Sequence, residues 1–359
     1  MRSVPLALPT LLILVGALAY PSAATAQQVT FDRLAPEVLD VVPPSEWVRG
    51  EPGAMSVVAR ECRARPPEEI RRRIVDVAVQ EWAFFGYPVL DRMNGARLLP
   101  PGAGSNGRLP TFENTTRRAP PLNAQESRRV ASSIAGYWAV TPEGAGIVRT
   151  QNGRWNRSGI DARWNAPWSA AFISWVMCEA GLGTNDRFHR AIAHWRYIDQ
   201  AIRARDGGAP ASGYVAYDLG ERTVEPGDLL CFARRPAYRS LAERRRQMGT
   251  GASSHCDIVV TVDEDRGRIL AVGGNVLRSV SLKVLQGTPA PGGGSHARAI
   301  PSAPLFAHLK LRGESVEADA LLRSPVLAGT TCPNGVRAPG RAAYVLAELG
   351  VPSIGPLAC

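Results

Sequence analysis

Lysine is almost missing from this sequence. Of its 42 basic residues only Lys283 and Lys310 are lysines, and with 32 acids the formal net charge is +10. Histidine occurs five times and aromatic residues make up 7% of the chain, so imidazole chemistry has few possible locations. The six cysteines include no Cys-x-x-Cys pair, which argues against a zinc ribbon. His189 and His194, five residues apart, would point about 140° apart on a helix and make a poor shared metal site. No carboxylate pair suggests glycosidase chemistry, and no internal repeat is visible. Beyond residue 26 no run of about 18 apolar residues occurs, so no transmembrane span is expected in the mature chain. The arginines are scattered without a nucleic-acid-binding motif. The expectation is therefore no cofactor, no metal and no nucleic acid. The positive balance suits an anionic envelope polymer or membrane surface.

What is present is enough for one large domain or two small ones: 359 residues, 45% of them hydrophobic. Residues 1–26 read as a signal peptide, with Arg2, an apolar run from Val4 to Ala19, and a small-x-small Ala24-Thr25-Ala26 site. The expected mature chain starts near Gln27 and is exported, to the periplasm or beyond. Its cysteines suit disulfides in an oxidising compartment. Cys332 and Cys359 bracket a Pro- and Gly-containing tail and are the preferred pair; the connectivity of the others is open.

In chain order, residues 27–65 read as an extended lead-in. A main domain spans 66–312, with a surface-loop insertion over 95–122, and 313–359 is an appended tail. Helices are expected from Pro66 to Phe85, Asn123 to Ala139 and Arg187 to Arg203, with a buried helix over Asn165–Gly181. Strands follow over Tyr214–Leu219, Leu229–Phe232, His255–Val262, Arg268–Val272, Leu277–Val284 and Phe306–Leu311. A basic loop, Arg234 to Ser253, interrupts them. Helices first and strands afterwards give an α+β class.

The buried helix is the chain's organising stretch, because Phe172, Ile173, Trp175, Val176 and Met177 leave it no polar face. Ser169 sits in its first turn, where the helix dipole favours an anion. "Pro-Trp-x-Ala-Ala-Phe-x-Ser-Trp" resembles the nucleophile helix of papain-like NlpC-type and CHAP cell-wall amidases, with Ser169 standing where those enzymes carry cysteine. Pro226-Gly-Asp-Leu-Leu230, Ser-His255-Cys-Asp-Ile-Val-Val and Ala-Val-Gly-Gly-Asn275-Val resemble the strands that follow in that superfamily. Ala-His194-x-x-Tyr and the serine together also resemble the bacterial domain-of-unknown-function family numbered 2272, over most of residues 66–312.

The resemblance implies a papain-like helix packed on an antiparallel sheet, with Ser169 as nucleophile, His255 as base and Asn275 as its orienter, a place that Asp257 takes instead if the strand sets it beside the imidazole. Trp168, His194 and Asp257 are candidate substrate contacts. Strand alternation puts Asp257 on the face of His255 and Cys256 on the other, and Cys178 lies across the helix from Ser169. A serine, unlike a thiolate, must give up its proton during attack. Two functions follow. The one expected first is a hydrolase of amide or peptide bonds in peptidoglycan with a serine nucleophile; the alternative is a catalytically inactive module that binds wall fragments or a protein partner. A hydrogen bond from Ser169 Oγ to His255 would favour the first.

Overall fold

The computed structural model describes residues 33–93, 97–99, 124–234 and 238–328. The lead-in is not simply extended. It forms α1 (Pro36–Leu39), a 3₁₀ turn (Pro44–Trp47) and an antiparallel hairpin of β1 (Val48–Arg49) and β2 (Ser56–Val57). Two buried acids hold it: Arg33 chelates Glu81 at 2.5 and 2.7 Å, while Val42 N and Trp47 Nε1 each donate to Glu179 at 3.0 Å.

Helix α2 (Pro67–Phe84) begins at a proline whose missing N–H is not needed in the first turn, with Glu68 and Glu69 facing the positive end of the dipole. It leads into β3 (Val89–Asp91) and β4 (Arg97–Leu99), which pair antiparallel. Strand β4 falls inside the stretch expected as a surface loop; the rest of that stretch after residue 99 lies outside the described residues. Helix α3 (Ala124–Ala139) is followed by α4 (Gly144–Ser158), which glycines hide in the sequence. Gly144 is needed where α4 starts against α3, since a Cβ there would sit 1.8 Å from the Trp138 carbonyl oxygen.

Next come α5 (Ser169–Ala180), α6 (Trp195–Arg205), β5 (Tyr214–Tyr217), β6 (Leu229–Ala233) and a short α7 (Leu241–Arg245). The chain then runs through β7 (Ser254–Asp263), β8 (Arg268–Val276), β9 (Ser279–Pro289), β10 (Ser295–Ala297), β11 (Leu305–Leu311) and α8 (Pro325–Ala328). The sheet order is β4-β3-β9-β8-β7-β6-β11-β5, with β10 also on β9. The class is α+β, but the sheet is mixed: β3 runs parallel to β9, and β3 and β4 precede α3. The expected purely antiparallel sheet is thus corrected. A parallel neighbour needs a long connection, and everything from β4 to β8 lies between these two strands.

Alternation divides the sheet into two apolar faces. Cys231, Cys256, Ile258, Val272 and Leu282 join the helices in the main core, while Leu230, Phe232, Val259, Ala271 and Leu285 form a smaller second core. The Pro-Gly-Asp turn before β6 is an anchor. Buried Asp228 accepts from Arg71 Nη1 at 2.8 Å, His308 Nε2 at 2.8 Å and the amides of Glu225 and Leu311 at 3.0 Å. Burial alone would raise its carboxyl, yet His308, Arg71 and Lys310 hold it well below the usual range.

The basic loop is also tied down. Its Arg244 is fully buried and grips Asp199 at 2.6 and 2.7 Å. In the tail, α8 packs on α2 and Leu321, Val326 and Leu327 are buried. Residues 1–32 and 329–359, with the signal-peptide stretch, Cys332 and Cys359, lie outside the described residues. No helix among the described residues is long and apolar enough to cross a membrane.

Among the described residues Asp76 on α2 is the one acid with a buried oxygen, Oδ1, that has no hydrogen-bond partner; burial pushes its carboxyl up to about 6 against the opposing pull of Ser324, Arg72 and Arg73. Above that pH the folded state carries the full cost of the charge. As pH falls through 6 toward 4, the folded chain takes up a proton first and the cost fades. Asp76→Asn is expected to stabilise the protein near pH 7.5 by up to about 3 kcal/mol and to bring no gain at pH 4. Denaturant melts at the two pH values check this, and a gain independent of pH would contradict it.

Candidate functional site

Ser169 is the first residue of α5, and Trp168 holds the N-cap position without a side-chain cap. Asn165 lies too far upstream to cap; its backbone N–H donates to Gln151 Oε1 at 3.0 Å. The helix ends at left-handed Gly181, where a Cβ would fall 2.4 Å from Arg65 Cβ. All of α5 is buried, against α2, α3, β7 and β8. The expected enclosure is real.

The imidazole that meets Ser169 is that of His194, not His255. Ser169 Oγ lies 2.7 Å from His194 Nε2, and His194 is the N-cap residue of α6. On the far side of the ring, His194 Nδ1 accepts the Cys256 backbone N–H at 3.2 Å and is hydrogen-bonded by the Tyr197 hydroxyl. A backbone N–H can only donate, so the Cys256 contact assigns the lone pair to Nδ1 and the proton of the neutral ring to Nε2; the Tyr197 hydroxyl, which can donate or accept, fits either tautomer. Ser169 therefore accepts from His194. Burial pushes His194 well below its ordinary pKa, and the nearby charges of His255 and Arg234 push the same way.

His255, on β7, is held by a different set of partners. Its Nε2 lies 2.7 Å from Asp257 Oδ1, and Lys283 Nζ lies 2.7 Å from Asp257 Oδ2. Burial, helped by the Lys283 charge, lowers His255 to about 4; burial also lowers Lys283 to about 8 in spite of Asp257. Asp257 would be raised by burial, but Lys283 and His255 hold it well below the usual range. The two imidazole centroids are 5.1 Å apart, and His255 Nδ1 has no partner. His255 and Ser169 form no hydrogen bond.

Asn275 does not orient His255. It has a left-handed φ of 55° where the β8–β9 register shifts, and the next turn places Leu277 and Arg278 at φ 51° and 66°. The glycines before it allow close approach: a Cβ on Gly273 would lie 1.8 Å from Asp257 Oδ1, and one on Gly274 2.5 Å from Phe172 Cβ. The Gly-Gly-Asn run thus seats β8 on both Asp257 and α5. Trp168 stacks on Phe85 at 5.8 Å and, with Asn275, lines a pocket beside the start of α5. Cys178 is bonded to Cys62 and Cys256 to Cys231, so neither offers a thiol. Among the described residues no group of three or more His, Cys, Asp or Glu could hold a metal ion.

Tyr197 and Lys283 escaped the sequence reading as site members. A lysine alternating with Leu282 and Val284 in an apolar strand was the available signal for Lys283, since such a charge must find a buried partner. Tyr197 stood in the Ala-His-x-x-Tyr motif, but its role depends on the turn that precedes α6.

Residues 126–296 match the family model described as an uncharacterized protein conserved in bacteria, DUF2272. The match covers the segment holding Ser169, His194, His255 and Asn275, and it supports the resemblance to that family. No curated protein and no solved structure shows significant similarity to the chain.

His255 is expected to stay neutral down to about pH 5 and His194 to titrate well below its ordinary range, each with its proton on Nε2. Long-range ¹H–¹⁵N spectra of labelled protein, assigned with His194→Gln and His255→Gln, read this directly. A His194 signal with the proton on Nδ1 would overturn the hydrogen-bond assignment. Because unfolded histidines titrate near 6.5, acidification from pH 7 to 4 favours unfolding, His255 contributing up to about 3 kcal/mol.

Proposed function

We propose that the chain is an exported papain-like module that binds a fragment of peptidoglycan, or another anionic envelope polymer, without cutting it. The observation that carries this is the Cys256 N–H on His194 Nδ1. A general base must receive the serine proton on the nitrogen facing it, and here that nitrogen already bears one. Ser169 and His194 are also only 7% and 4% exposed. The two residues that argued for catalysis in the sequence have other employment: His255 is spent on Asp257 and Asn275 on a backbone bulge. Export accords with the disulfides Cys62–Cys178 and Cys231–Cys256, and an anionic partner accords with the +10 charge.

A second reading, a serine hydrolase with His194 as base, is favoured by the 2.7 Å Ser169–His194 contact. It requires the proton to move to Nδ1, which strands the Cys256 N–H at a cost of about 1–3 kcal/mol, or roughly 5–150-fold in rate. The test is incubation of the mature chain, Ser169→Ala and Ser169→Cys with purified insoluble peptidoglycan, followed by sedimentation and mass analysis of released fragments. Wild type and Ser169→Ala are expected to sediment with the polymer and release nothing. Fragments released by wild type and lost in Ser169→Ala would establish the hydrolase instead. Failure of every variant to sediment would remove peptidoglycan as the partner.

A further inference from the structure

The pocket beside the start of α5 has a volume of about 100 Å³ and is walled by Trp155, Trp164 and Trp168, with Asn275, Arg163 and Arg278 among its lining. Arg278 comes from the β8–β9 turn and Arg163 from the segment before α5. Neither forms an ion pair with a carboxylate of the described residues. Arg278 Nη2 is shielded from solvent and has no hydrogen-bond partner. A buried, unpaired end of a guanidinium is costly, and the neighbouring charge of Arg163 adds to the strain. Burial and Arg163 together lower the Arg278 pKa. The same turn holds Leu277 and Arg278 in the left-handed region that side chains disfavour, a conformation that costs about 1–3 kcal/mol at each such residue.

We propose that this pocket is a carboxylate subsite that takes the free C-terminal end of a short peptide, its carboxylate between Arg163 and Arg278 and its small side chain against the indoles. Three features select this ligand. Planar guanidiniums match a carboxylate in paired hydrogen bonds. Exposed Asp161 also lines the pocket, which leaves a local charge of one positive unit and favours a monoanion over a phosphate dianion. The volume accommodates a few water molecules, hence one small terminal residue rather than a sugar chain. The subsite deepens the binding function proposed above and rests on it, since Trp168 joins the pocket to the helix that begins at Ser169.

Tryptophan fluorescence of the mature chain is titrated with N-acetyl-alanine, with its neutral amide, and with inorganic phosphate. N-acetyl-alanine is expected to give a saturable change, and the other two none. Arg163→Gln, at an exposed position that folding tolerates, and Arg278→Asn, whose side chain suits the left-handed turn, are each expected to weaken binding about tenfold or more. No saturable change with N-acetyl-alanine, an equal change with the amide or phosphate, or unaltered affinity in both variants would overturn the subsite. The result is independent of polymer sedimentation: failure here with sedimentation intact sinks only the subsite, whereas the reverse pattern sinks only the wall-binding function.

Discussion

A helix without a polar face has to be covered on every side, and the enclosure of α5 is the constraint from which the rest of this fold follows. Two helices, α2 and α3, cover one side and strands β7 and β8 the other. Strand β8 comes near enough because Gly274 carries no side chain where Phe172 packs, while Gly273 leaves room for the Asp257 carboxylate of β7. The disulfide Cys62–Cys178 fastens the N-terminal segment to the same helix. Burial at this depth then dictates the state of everything polar at the helix start. Ser169 and His194 are kept neutral and mutually hydrogen-bonded, because an imidazolium there would be far from solvent.

Buried charge is handled differently on the sheet. Asp228 and Asp257 are both fully buried, and each is matched by a histidine and by one of the chain's two lysines: His308 and Lys310 for the first, His255 and Lys283 for the second. Asp228 recruits Arg71 as well. A buried carboxylate survives when several donors surround it, so a composition nearly devoid of lysine spends its two lysines where a compact cation is needed beside a buried acid. Such pairs fix how the strands of the sheet lie relative to one another, and Arg71 ties the turn before β6 to α2. They do not by themselves make a reactive centre, and the Asp257–His255 pair shows why: its donor proton is directed at the carboxylate and its free nitrogen meets no nucleophile.

Much of this architecture was legible in the sequence. The apolar run of α5, the acids and proline that start α2, and the alternation of β7 to β9 depend on neighbours in the chain. Helix α4 was hidden because its glycines depress helix propensity, whereas its buried Val148, Gln151, Asn152 and Trp155 need tertiary contacts to declare themselves. The parallel placement of β3 was hidden for the same reason, since register between distant strands leaves no local mark. In the site, Ser169 and the residues 254–257 were found in order, but their pairing was not. Spacing shows that His255 and Asp257 share a face of β7; it cannot show that the loop before α6 folds back to insert His194 in the position expected for His255.

That substitution of one imidazole for another changes the chemistry more than the serine does. A strand histidine approaching with a free nitrogen could accept a proton from a hydroxyl as readily as from a thiol, and the serine would then be only a slower nucleophile. His194 approaches with its other nitrogen pressed on the Cys256 amide, and that amide cannot reverse its polarity. The neighbouring Cys231–Cys256 bond lies across directly opposed residues of β6 and β7, which leaves this stretch of backbone little freedom to turn the amide away. Proton direction is thereby set by the main chain, a part of the protein that side-chain motifs do not report. The hydroxyl at position 169 is an acceptor in this network, which makes it an anchor for His194.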